Sequence, residues 1–260
     1  MTRLSGTVPL HQAYILLHSR HSPRNFPSRI ASPLLVALRQ RALRWSALVN
    51  VAWIPSNSVA AGDAPFTNDT EVYSLLAFAR GRSQLRIPSV TMNSLDDACA
   101  TLHDYMARPL VRVVHPDKVY LYVCTHGSRD CRCGEWGSKV ADALREEIRK
   151  REETVETEPV SKGKGKHPRI VVGEVGHVGG HQHAANMLVF PYGEWLGELR
   201  PDDVPAVLDV IMKMKQKQQY LPVDLAHAPL LPTHWRGRMG LSQDEQIQLC
   251  SDSDDTERRT

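Results

Sequence analysis

Short apolar runs alternate along the chain with longer stretches whose apolar residues recur every three or four positions, as in strands and amphipathic helices. In the first half, Ser32-Pro33 supplies an N-cap and a first-turn proline for one helix. Ser94 with Asp97 three residues later predicts a capping box for a second helix. The predicted elements of this half are strands at 13–17, 47–54, 72–79 and 84–92 and helices that begin near residues 33 and 95.

The second half repeats this order. An apolar run at 119–123 predicts a strand, and a cysteine-rich loop leads into a helix from about Ser138. A charged, glycine-containing segment at 151–168 is expected to be a mobile insertion. The remaining predicted elements are a strand at 169–175, a hairpin at 187–199 that turns at Tyr192-Gly193, and a helix from Asp202 to Lys217.

A β-α-β start followed by an antiparallel hairpin and a closing helix is the order of thioredoxin-like α/β sandwiches, in which a right-handed crossover places the first helix on one sheet face. We therefore predict an α/β protein with two thioredoxin-like units in tandem. The predicted domains are residues 8–112, which carry no cofactor, residues 113–220, and a C-terminal tail at 221–260 that contains WRGRMGL. The polar end of the tail, 251–260, is expected to be disordered.

Composition narrows the function classes. Lys and Arg exceed Asp and Glu by only three (32 against 29) and form no basic stripe with aromatic residues, so nucleic-acid binding has little support. The chain begins without an apolar signal core, and no stretch approaches about 18 uncharged apolar residues, which predicts a soluble intracellular protein without membrane contact. An odd number of cysteines, five, fits a reducing compartment. We expect the cytoplasm, with the mitochondrial matrix as the alternative.

Potential metal ligands concentrate in two loops of the second half. Cys124 and Cys133 follow its first predicted strand, and His177 and His181 follow its second. Loops converge at the carboxyl ends of neighbouring strands, and a helix N-terminus stabilises thiolate, so these four donors are expected to meet. The cysteines lie nine residues apart, whereas a structural zinc site usually has a pair separated by two to four residues; zinc is therefore compatible but not favoured.

The four donors resemble the ligand pattern of thioredoxin-like [2Fe-2S] ferredoxins, with histidines in place of the second cysteine pair. Over nearly its whole length the chain resembles the sucrase/ferredoxin-like family, relatives of the fungal actin-patches-distal and altered-inheritance-of-mitochondria proteins. The segments that carry the resemblance are GTVPLHQAYILLH (6–18), VCTHGSRDCRCG (123–134), GHVGGHQHAANMLVFPYGEWLG (176–197) and HWRGRMGL (234–241).

The resemblance implies a ferredoxin-like second unit with a bis-histidinyl, non-Rieske [2Fe-2S] cluster bound by Cys124, Cys133, His177 and His181. It implies an electron-transfer or redox-sensing protein that acts with a redox partner protein rather than as a stand-alone enzyme. Neutral imidazoles in place of two thiolates make such a cluster less negative and easier to reduce. Exposed imidazole nitrogens are expected to couple electron transfer to proton transfer. The word sucrase finds no support in a recognisable carboxylate pair.

Residues near the four donors have auxiliary roles in this interpretation. Cys131 is either a bystander or a substitute ligand, and His126 and His183 are expected to be hydrogen-bond partners or solvent-facing residues. Three residues of the tail motif either fold over the cluster, shielding it and supplying positive charge, or belong to an ordinary docked segment: Trp235, Arg236 and Arg238.

Two other functions stay open. One is a metal-free thiol oxidoreductase of thioredoxin type that uses Cys131 and Cys133, although a Cys-x-Cys pair lacks the usual Cys-x-x-Cys spacing and leaves the histidines unexplained. The other is a zinc-stabilised interaction module. The first half has His18 and His21 after its first strand, but residues 55–69 contain neither cysteine nor histidine. We therefore expect the first half to be a packing or partner-binding domain.

Overall fold

A computed structural model of the chain describes residues 4–55, 71–109, 118–157, 169–216 and 227–257. The strands in these ranges are β1 (Ala13–His18), β2 (Ala47–Trp53), β3 (Tyr73–Ala79), β4 (Leu85–Val90), β5 (Lys118–Cys124), β6 (Arg169–Val175), β7 (Met187–Phe190), β8 (Glu194–Leu196) and β9 (Trp235–Arg238). The α-helices are α1 (Pro33–Ala42), α2 (Leu95–Ala107), α3 (Ser138–Thr157), α4 (Val204–Gln216) and α5 (Gln243–Glu257). None of the helices in these ranges combines the length and the apolar character that crossing a bilayer requires.

All nine strands belong to one sheet with the order β4-β3-β1-β2-β6-β5-β7-β8-β9. In the first half, β1 is parallel to β2 and antiparallel to β3, which pairs with β4. In the second half, β5 is parallel to β6 and antiparallel to β7, which pairs with β8. The halves join through a short antiparallel pairing of β2 with β6, in which Ala52 faces Val175 and Trp53 faces Glu174. The carboxyl ends of β2 and β6 therefore meet in the middle of the sheet.

The α/β class and the element order predicted from the apolar pattern are confirmed. The helices bury the residues that recur at helical spacing, as Leu35 and Leu38 of α1 and Val207 and Leu208 of α4 illustrate. Both halves contribute to one continuous sheet. Their division into separate domains stays a prediction.

The core has three parts because each half of the sheet has two apolar faces. Helices α1 and α2 cover one face of the first half, and α3, α4 and α5 cover one face of the second. The faces that these helices leave uncovered pack against each other through aromatic rings: Phe78 of β3 stacks on Phe190 of β7 at a centroid distance of 4.4 Å, and Tyr14 of β1 lies 5.5 Å from Phe190. Cys124 and Cys133 belong to this shared third part, so they lie where the two halves contact each other.

The predicted capping box at Ser94 and Asp97 is wrong. Ser94 does precede α2, but its side chain makes no hydrogen bond to the first turn of the helix. Instead, Thr91 N–H donates to Ser94 Oγ at 2.9 Å and Ser94 N–H donates to Thr91 Oγ1 at 3.2 Å. The nearer hydroxyl partner therefore competes successfully with the helix for the Ser94 side chain.

The prediction that the end of the tail is disordered is wrong for residues 251–257, which belong to α5. This helix begins with a capping box that the sequence interpretation overlooked. Ser242 N–H donates to Glu245 Oε2 at 2.7 Å, and Glu245 N–H donates to Ser242 Oγ at 3.3 Å. A satisfied first turn, with its acidic side chains favoured by the helix dipole, allows the polar sequence that follows to remain helical.

The predicted insertion at 151–168 begins too early. Its first residues, 151–157, continue α3, where Arg151 pairs at 2.8 Å with Glu147 one turn earlier and at 2.8 Å with Asp209 of α4. These contacts tie the charged end of the helix to its neighbour. The rest of the insertion, the end of the last predicted helix and the start of the tail lie outside the described residues.

Candidate metal centre

The site forms where two neighbouring parallel strands end. The last residue of β5, Cys124, is the register partner of the last residue of β6, Val175, so the loops after both strands leave the sheet at the same edge. After β5 the chain becomes helical at Cys131, passes through one π-helical turn over Cys133–Gly137 and continues as α3. After β6, residues 176–186 form a second loop, called the histidine loop because it carries His177 and His181. This topology brings the cysteine and histidine loops together.

Three of the four predicted ligands form one compact group. The sulfur atoms of Cys124 and Cys133 and a ring nitrogen of His177 all lie within 4.8 Å of one another, and Cys133 Sγ lies 3.9 Å from His177 Nδ1. Both cysteines are fully buried, whereas His177 is partly exposed. The ring of His181 lies beside this group, with its centroid 5.6 Å from that of His177, and 49% of its side chain is exposed. The donors therefore comprise a buried thiol pair and an imidazole pair nearer to solvent.

Glycines allow the backbone to approach closely around the thiols. A side chain on Gly137 would place its Cβ 1.9 Å from the carbonyl oxygen of Cys124, so the π-helical turn reaches the end of β5 only without one. In the histidine loop, Gly180 has a φ of +63°, and a Cβ there would lie 2.2 Å from a guanidinium nitrogen of Arg236. The glycine pair between His177 and His181 therefore forms a turn rather than a helix.

Two polar side chains hold the backbone of the histidine loop. His126 is buried, its Nδ1 accepts a hydrogen bond from the N–H of His177 at 3.4 Å, and its Nε2 lies 2.9 Å from the carbonyl oxygen of Pro27, which assigns its proton to Nε2. From β2, the side-chain amide of Asn50 donates to the carbonyl oxygens of Gly176 at 3.1 Å and His177 at 3.2 Å. His126 is therefore a hydrogen-bond partner, one of the two roles expected for it.

A buried carboxylate lies beneath both loops. Glu174 of β6 accepts hydrogen bonds from Ser22 at 2.5 Å, Thr125 at 3.0 Å, Arg24 at 2.9 Å and Arg145 at 2.8 Å. Burial would raise the pKa of Glu174, but the hydrogen bonds from Ser22, Arg145 and Arg24 outweigh it and hold that pKa below its ordinary value. Since Thr125 directly follows Cys124, this network connects the first half of the chain to the thiol pair.

The two thiols differ in their tendency to ionise. Hydrogen bonds from Cys133, His177 and the backbone N–H groups of Val178 and His126 place the pKa of Cys124 well below its ordinary value in spite of burial. The pKa of Cys133 is raised because its proton is held in the bond to Cys124 and because the thiol is buried. The site therefore stabilises one thiolate with its own hydrogen bonds, and the second thiolate requires a positive charge such as a metal ion.

The other predicted cysteine and histidine lie apart from the compact group. Cys131 is exposed, and its sulfur is not among the described donors that lie within 4.8 Å of one another. His183 is buried, and its Nδ1 lies 3.0 Å from a carboxylate oxygen of Glu198. His183 is therefore a hydrogen-bond partner that joins the histidine loop to the segment after β8.

The tail motif is part of the sheet, because residues 235–238 form β9 and pair with β8. Trp235 Nε1 and the guanidinium of Arg238 both donate to the buried carboxylate of Glu194. Arg236 extends to the histidine loop, where its Nη1 donates to the carbonyl oxygen of Gly179 at 3.3 Å. The motif is thus a strand of the sheet, and Arg236 is its contact with the site.

The sequence interpretation missed Glu174 and Asn50. Each is a single polar residue in an otherwise apolar strand, in RIVVGEV and ALVNVAWI respectively. A buried polar side chain requires partners, so an isolated one in a buried strand is a usable signal. Arg24 and Thr125 carried no such signal, since their partners are distant in sequence.

A sequence model described as sucrase/ferredoxin-like matches residues 4–237, a range that contains both ligand loops and β1 to β8. The chain belongs to the sucrase/ferredoxin-like family. The resemblance inferred from the sequence motifs is thereby confirmed.

Curated relatives of this sucrase/ferredoxin-like chain include "Altered inheritance of mitochondria protein 32" from Meyerozyma guilliermondii, which is 34% identical over 94 residues, or 35% of this chain and 29% of the relative. The protein of that name from Clavispora lusitaniae is 30% identical over 122 residues, or 45% of this chain and 38% of the relative. The matched segments therefore span well under half the length of these relatives.

Among solved structures, a thioredoxin-like [2Fe-2S] ferredoxin from Aquifex aeolicus is similar to 41% of this sucrase/ferredoxin-like chain. The similarity covers 99% of that ferredoxin at 16% sequence identity and a TM-score of 0.29. Another structure of a thioredoxin-like [2Fe-2S] ferredoxin from the same organism has 18% identity and a TM-score of 0.28, covering 40% of this chain and 86% of that one. These values are too low to define the site.

Proposed function

We propose that this protein binds a [2Fe-2S] cluster through Cys124, Cys133, His177 and His181 and acts in electron transfer or redox sensing. The observation that carries the proposal is the convergence of three of these donors, two of them buried thiols, within 4.8 Å at one edge of the sheet. Membership of the sucrase/ferredoxin-like family supports it. The fourth donor in this proposal is His181, whose ring lies beside that of His177.

The chemistry of the donor set fits such a cluster. Thiolates are soft ligands that suit iron-sulfur clusters, Cu(I) and zinc, and imidazole suits iron and zinc as well. Hydrogen bonds from Cys133, His177 and backbone N–H groups lower the pKa of Cys124, which favours one of the two thiolates and supports the proposal. The cysteines come from one loop and the histidines from the other, which suits a group with two metal ions bound by separate ligand pairs.

The chain's own residues would hold this group in place and control its access to solvent. When bound, a [2Fe-2S] cluster supplies one-electron redox chemistry. Asn50 and His126 hold the backbone of the histidine loop, and Glu174 holds the residue that follows Cys124. Because the thiols are buried and His181 is half exposed, we propose that a redox partner protein approaches from the histidine side.

Iron and acid-labile sulfide analysis after anaerobic purification tests the proposed function. The wild type is expected to be red-brown, with about two irons and two sulfides per chain. His177→Ala and His181→Ala are expected to lose most of the iron and sulfide, whereas Cys131→Ala keeps both because Cys131 is exposed and lies outside the donor group. A colourless wild type without sulfide would overturn the proposal.

A zinc-stabilised interaction module is the second candidate, because three donors within 4.8 Å also suit one tetrahedral ion. It predicts a colourless protein with zinc and no sulfide, so the same analysis separates it. A thiol oxidoreductase that uses Cys131 and Cys133 has less support. Its reactive thiol needs a lowered pKa, whereas the pKa of Cys133 is raised.

The proposed partner is a redox protein that exchanges single electrons with the site, and we propose neither nucleic acid nor a membrane as a binding partner. The protein would then act within a redox chain rather than as a stand-alone enzyme. The cytoplasm stays the expected compartment, with the mitochondrial matrix as the alternative. Fractionation of cells that express the full-length protein tests the compartment.

A further inference from the structure

Two arginines of β9 are equally buried but differ in how their charges are balanced. Arg236 and Arg238 are each 2% exposed. Arg238 forms an ion pair with the buried carboxylate of Glu194 at 2.6 Å. The hydrogen bonds of Arg236, within the described part of the chain, all go to neutral oxygen atoms. Arg236 is therefore a buried cation without a carboxylate partner among those residues.

The neutral partners of Arg236 come from three separate segments. Its Nε donates to Thr7 Oγ1 at 3.0 Å and its Nη2 to the Thr7 carbonyl oxygen at 3.2 Å. Its Nη1 donates to Asn186 Oδ1 at 2.8 Å and to the Gly179 carbonyl oxygen at 3.3 Å. Arg236 thereby joins the start of the chain to the histidine loop and to the segment that leads into β7.

The same contacts extend to Cys124. The carbonyl oxygen of Asn186 accepts the N–H of Cys124 at 2.9 Å, and the side-chain amide of Asn186 donates to the Gly180 carbonyl oxygen at 3.0 Å. Arg236 consequently positions the histidine loop and the end of β5 through one shared residue. A displacement of its guanidinium would therefore shift the backbone of both ligand loops.

A buried charge is unfavourable unless an opposite charge compensates it. Burial lowers the pKa of Arg236 to about 10, while electrostatic interaction with Cys124 and Cys133 raises it, so the side chain is positively charged at neutral pH. The hydrogen bonds of Arg236 reach the histidine loop directly and the end of β5 through Asn186, so its charge is held beside the donor site. Its charge is thus complementary to an anionic group at the site, not to a neighbouring carboxylate.

We propose that Arg236 is a positioning residue that fixes the ligand loops and stabilises the one-electron-reduced state of the site. This inference rests on the proposed function. Two ferric ions and two sulfides sum to +2, and two thiolates with two neutral imidazoles bring the oxidised site to zero. One electron from an external one-electron donor gives a charge of −1. A fixed positive charge nearby stabilises this reduced state more than the neutral oxidised state.

Redox titration of the cluster-loaded protein, monitored by electron paramagnetic resonance, tests the inference. Arg236→Gln removes the charge and keeps an amide donor, and it is expected to shift the reduction equilibrium about tenfold toward the oxidised state, which is ~59 mV for a one-electron couple. Asn186→Asp places a carboxylate 2.8 Å from Arg236 Nη1 and loses the amide's hydrogen bond to the Gly180 carbonyl oxygen. It is expected to shift the equilibrium in the same direction while the guanidinium stays in place. Arg236→Lys, which retains the charge, is expected to shift it less than Arg236→Gln.

The matched control is the double variant Glu194→Gln with Arg238→Gln, which removes one buried charge of each sign from the neighbouring strands β8 and β9. Its potential is expected to equal that of the wild type. An unchanged potential in Arg236→Gln and Asn186→Asp, or an equal shift in the double variant, would overturn the role of Arg236 while leaving the cluster in place. If Arg236→Gln does not fold, Asn186→Asp decides. A wild type without a cluster would overturn the proposed function and this inference together.

Discussion

The two halves of the sheet share one strand order, but the ends of their first strands carry different chemistry. In the second half, β5 ends with Cys124 in the donor group. In the first half, β1 ends with His18, which is buried and whose Nε2 lies 2.7 Å from the hydroxyl oxygen of Tyr122. The same architectural position therefore holds a candidate ligand in one half and a packing residue in the other.

The first half instead supports the ligand loops of the second. Arg24 binds the buried carboxylate of Glu174, the carbonyl oxygen of Pro27 binds His126, and Asn50 binds the histidine loop. These contacts exist because the carboxyl ends of β2 and β6 meet. The comparison shows that donors alone do not make the site. The half without donors fixes the backbone that presents them.

Gly137→Ala is expected to have the largest effect, and it acts on the second half, which carries the candidate ligands. The added Cβ would lie 1.9 Å from the Cys124 carbonyl oxygen, and backbone at both positions must move to relieve the clash. We expect a loss of about 3 kcal/mol or more in the free energy of unfolding, measured by urea denaturation, and loss of bound iron. Gly81→Ala, at a turn with φ +64° in the first half, is the control, with a cost of about 1–2 kcal/mol and iron retained. Equal stability of Gly137→Ala and wild type would contradict this packing.

Acid is expected to lower the free energy of unfolding because two histidines of the first half are buried. Burial lowers the pKa values of His11 and His18 from 6.5 to about 4, so between these pH values the unfolded chain binds more protons and stability falls as the pH falls. The loss is about 3 kcal/mol per histidine, complete near pH 4. Urea denaturation at pH 7 and pH 4.5 measures it. His18→Asn should show a smaller acid loss than the wild type, and an equal loss would argue against a neutral buried His18.

Glu174→Gln is expected to lower the free energy of unfolding by about 2 kcal/mol, because hydrogen bonds to a charged acceptor between the two halves are lost. Arg24 and Arg145 are only partly buried and become solvated, which limits the cost. Bound iron should also be lost faster to a chelator than in the wild type. Asp96→Asn, which breaks the exposed pair of Arg41 with Asp96 in the first half, should change neither stability nor iron loss. Identical behaviour of the two variants would remove the support role of Glu174.

The sequence was sufficient to predict most helices and strands, because their apolar spacing is local. It also predicted that the loops bearing Cys124 and His177 meet, since parallel neighbouring strands end at one edge. It was insufficient where two local options compete, as at Ser94, whose hydroxyl bonds Thr91 instead of capping the helix. The helical end of the tail was missed because α5 begins with the Ser242 cap and packs Leu249 into the core, and neither feature lies in the polar residues 251–257.

Contacts between distant segments were beyond sequence reasoning. WRGRMGL gave no means of distinguishing Arg236 from Arg238, because the difference is the position of Glu194 on the neighbouring strand. Nor did it reveal that the uncovered faces of the two halves pack together through Phe78 and Phe190. Such contacts depend on strand pairings between segments that are far apart in sequence.

The central claim is that two thiols and two imidazoles bind one diiron cluster, and hyperfine spectroscopy of the reduced protein tests it most directly. Electron-nuclear double resonance of wild type grown with ¹⁴N- or ¹⁵N-labelled histidine reports nitrogen bound to the cluster. We predict two strongly coupled histidine nitrogens in the wild type and at most one in any cluster that His181→Ala retains. A reduced cluster without strongly coupled histidine nitrogen would contradict the account.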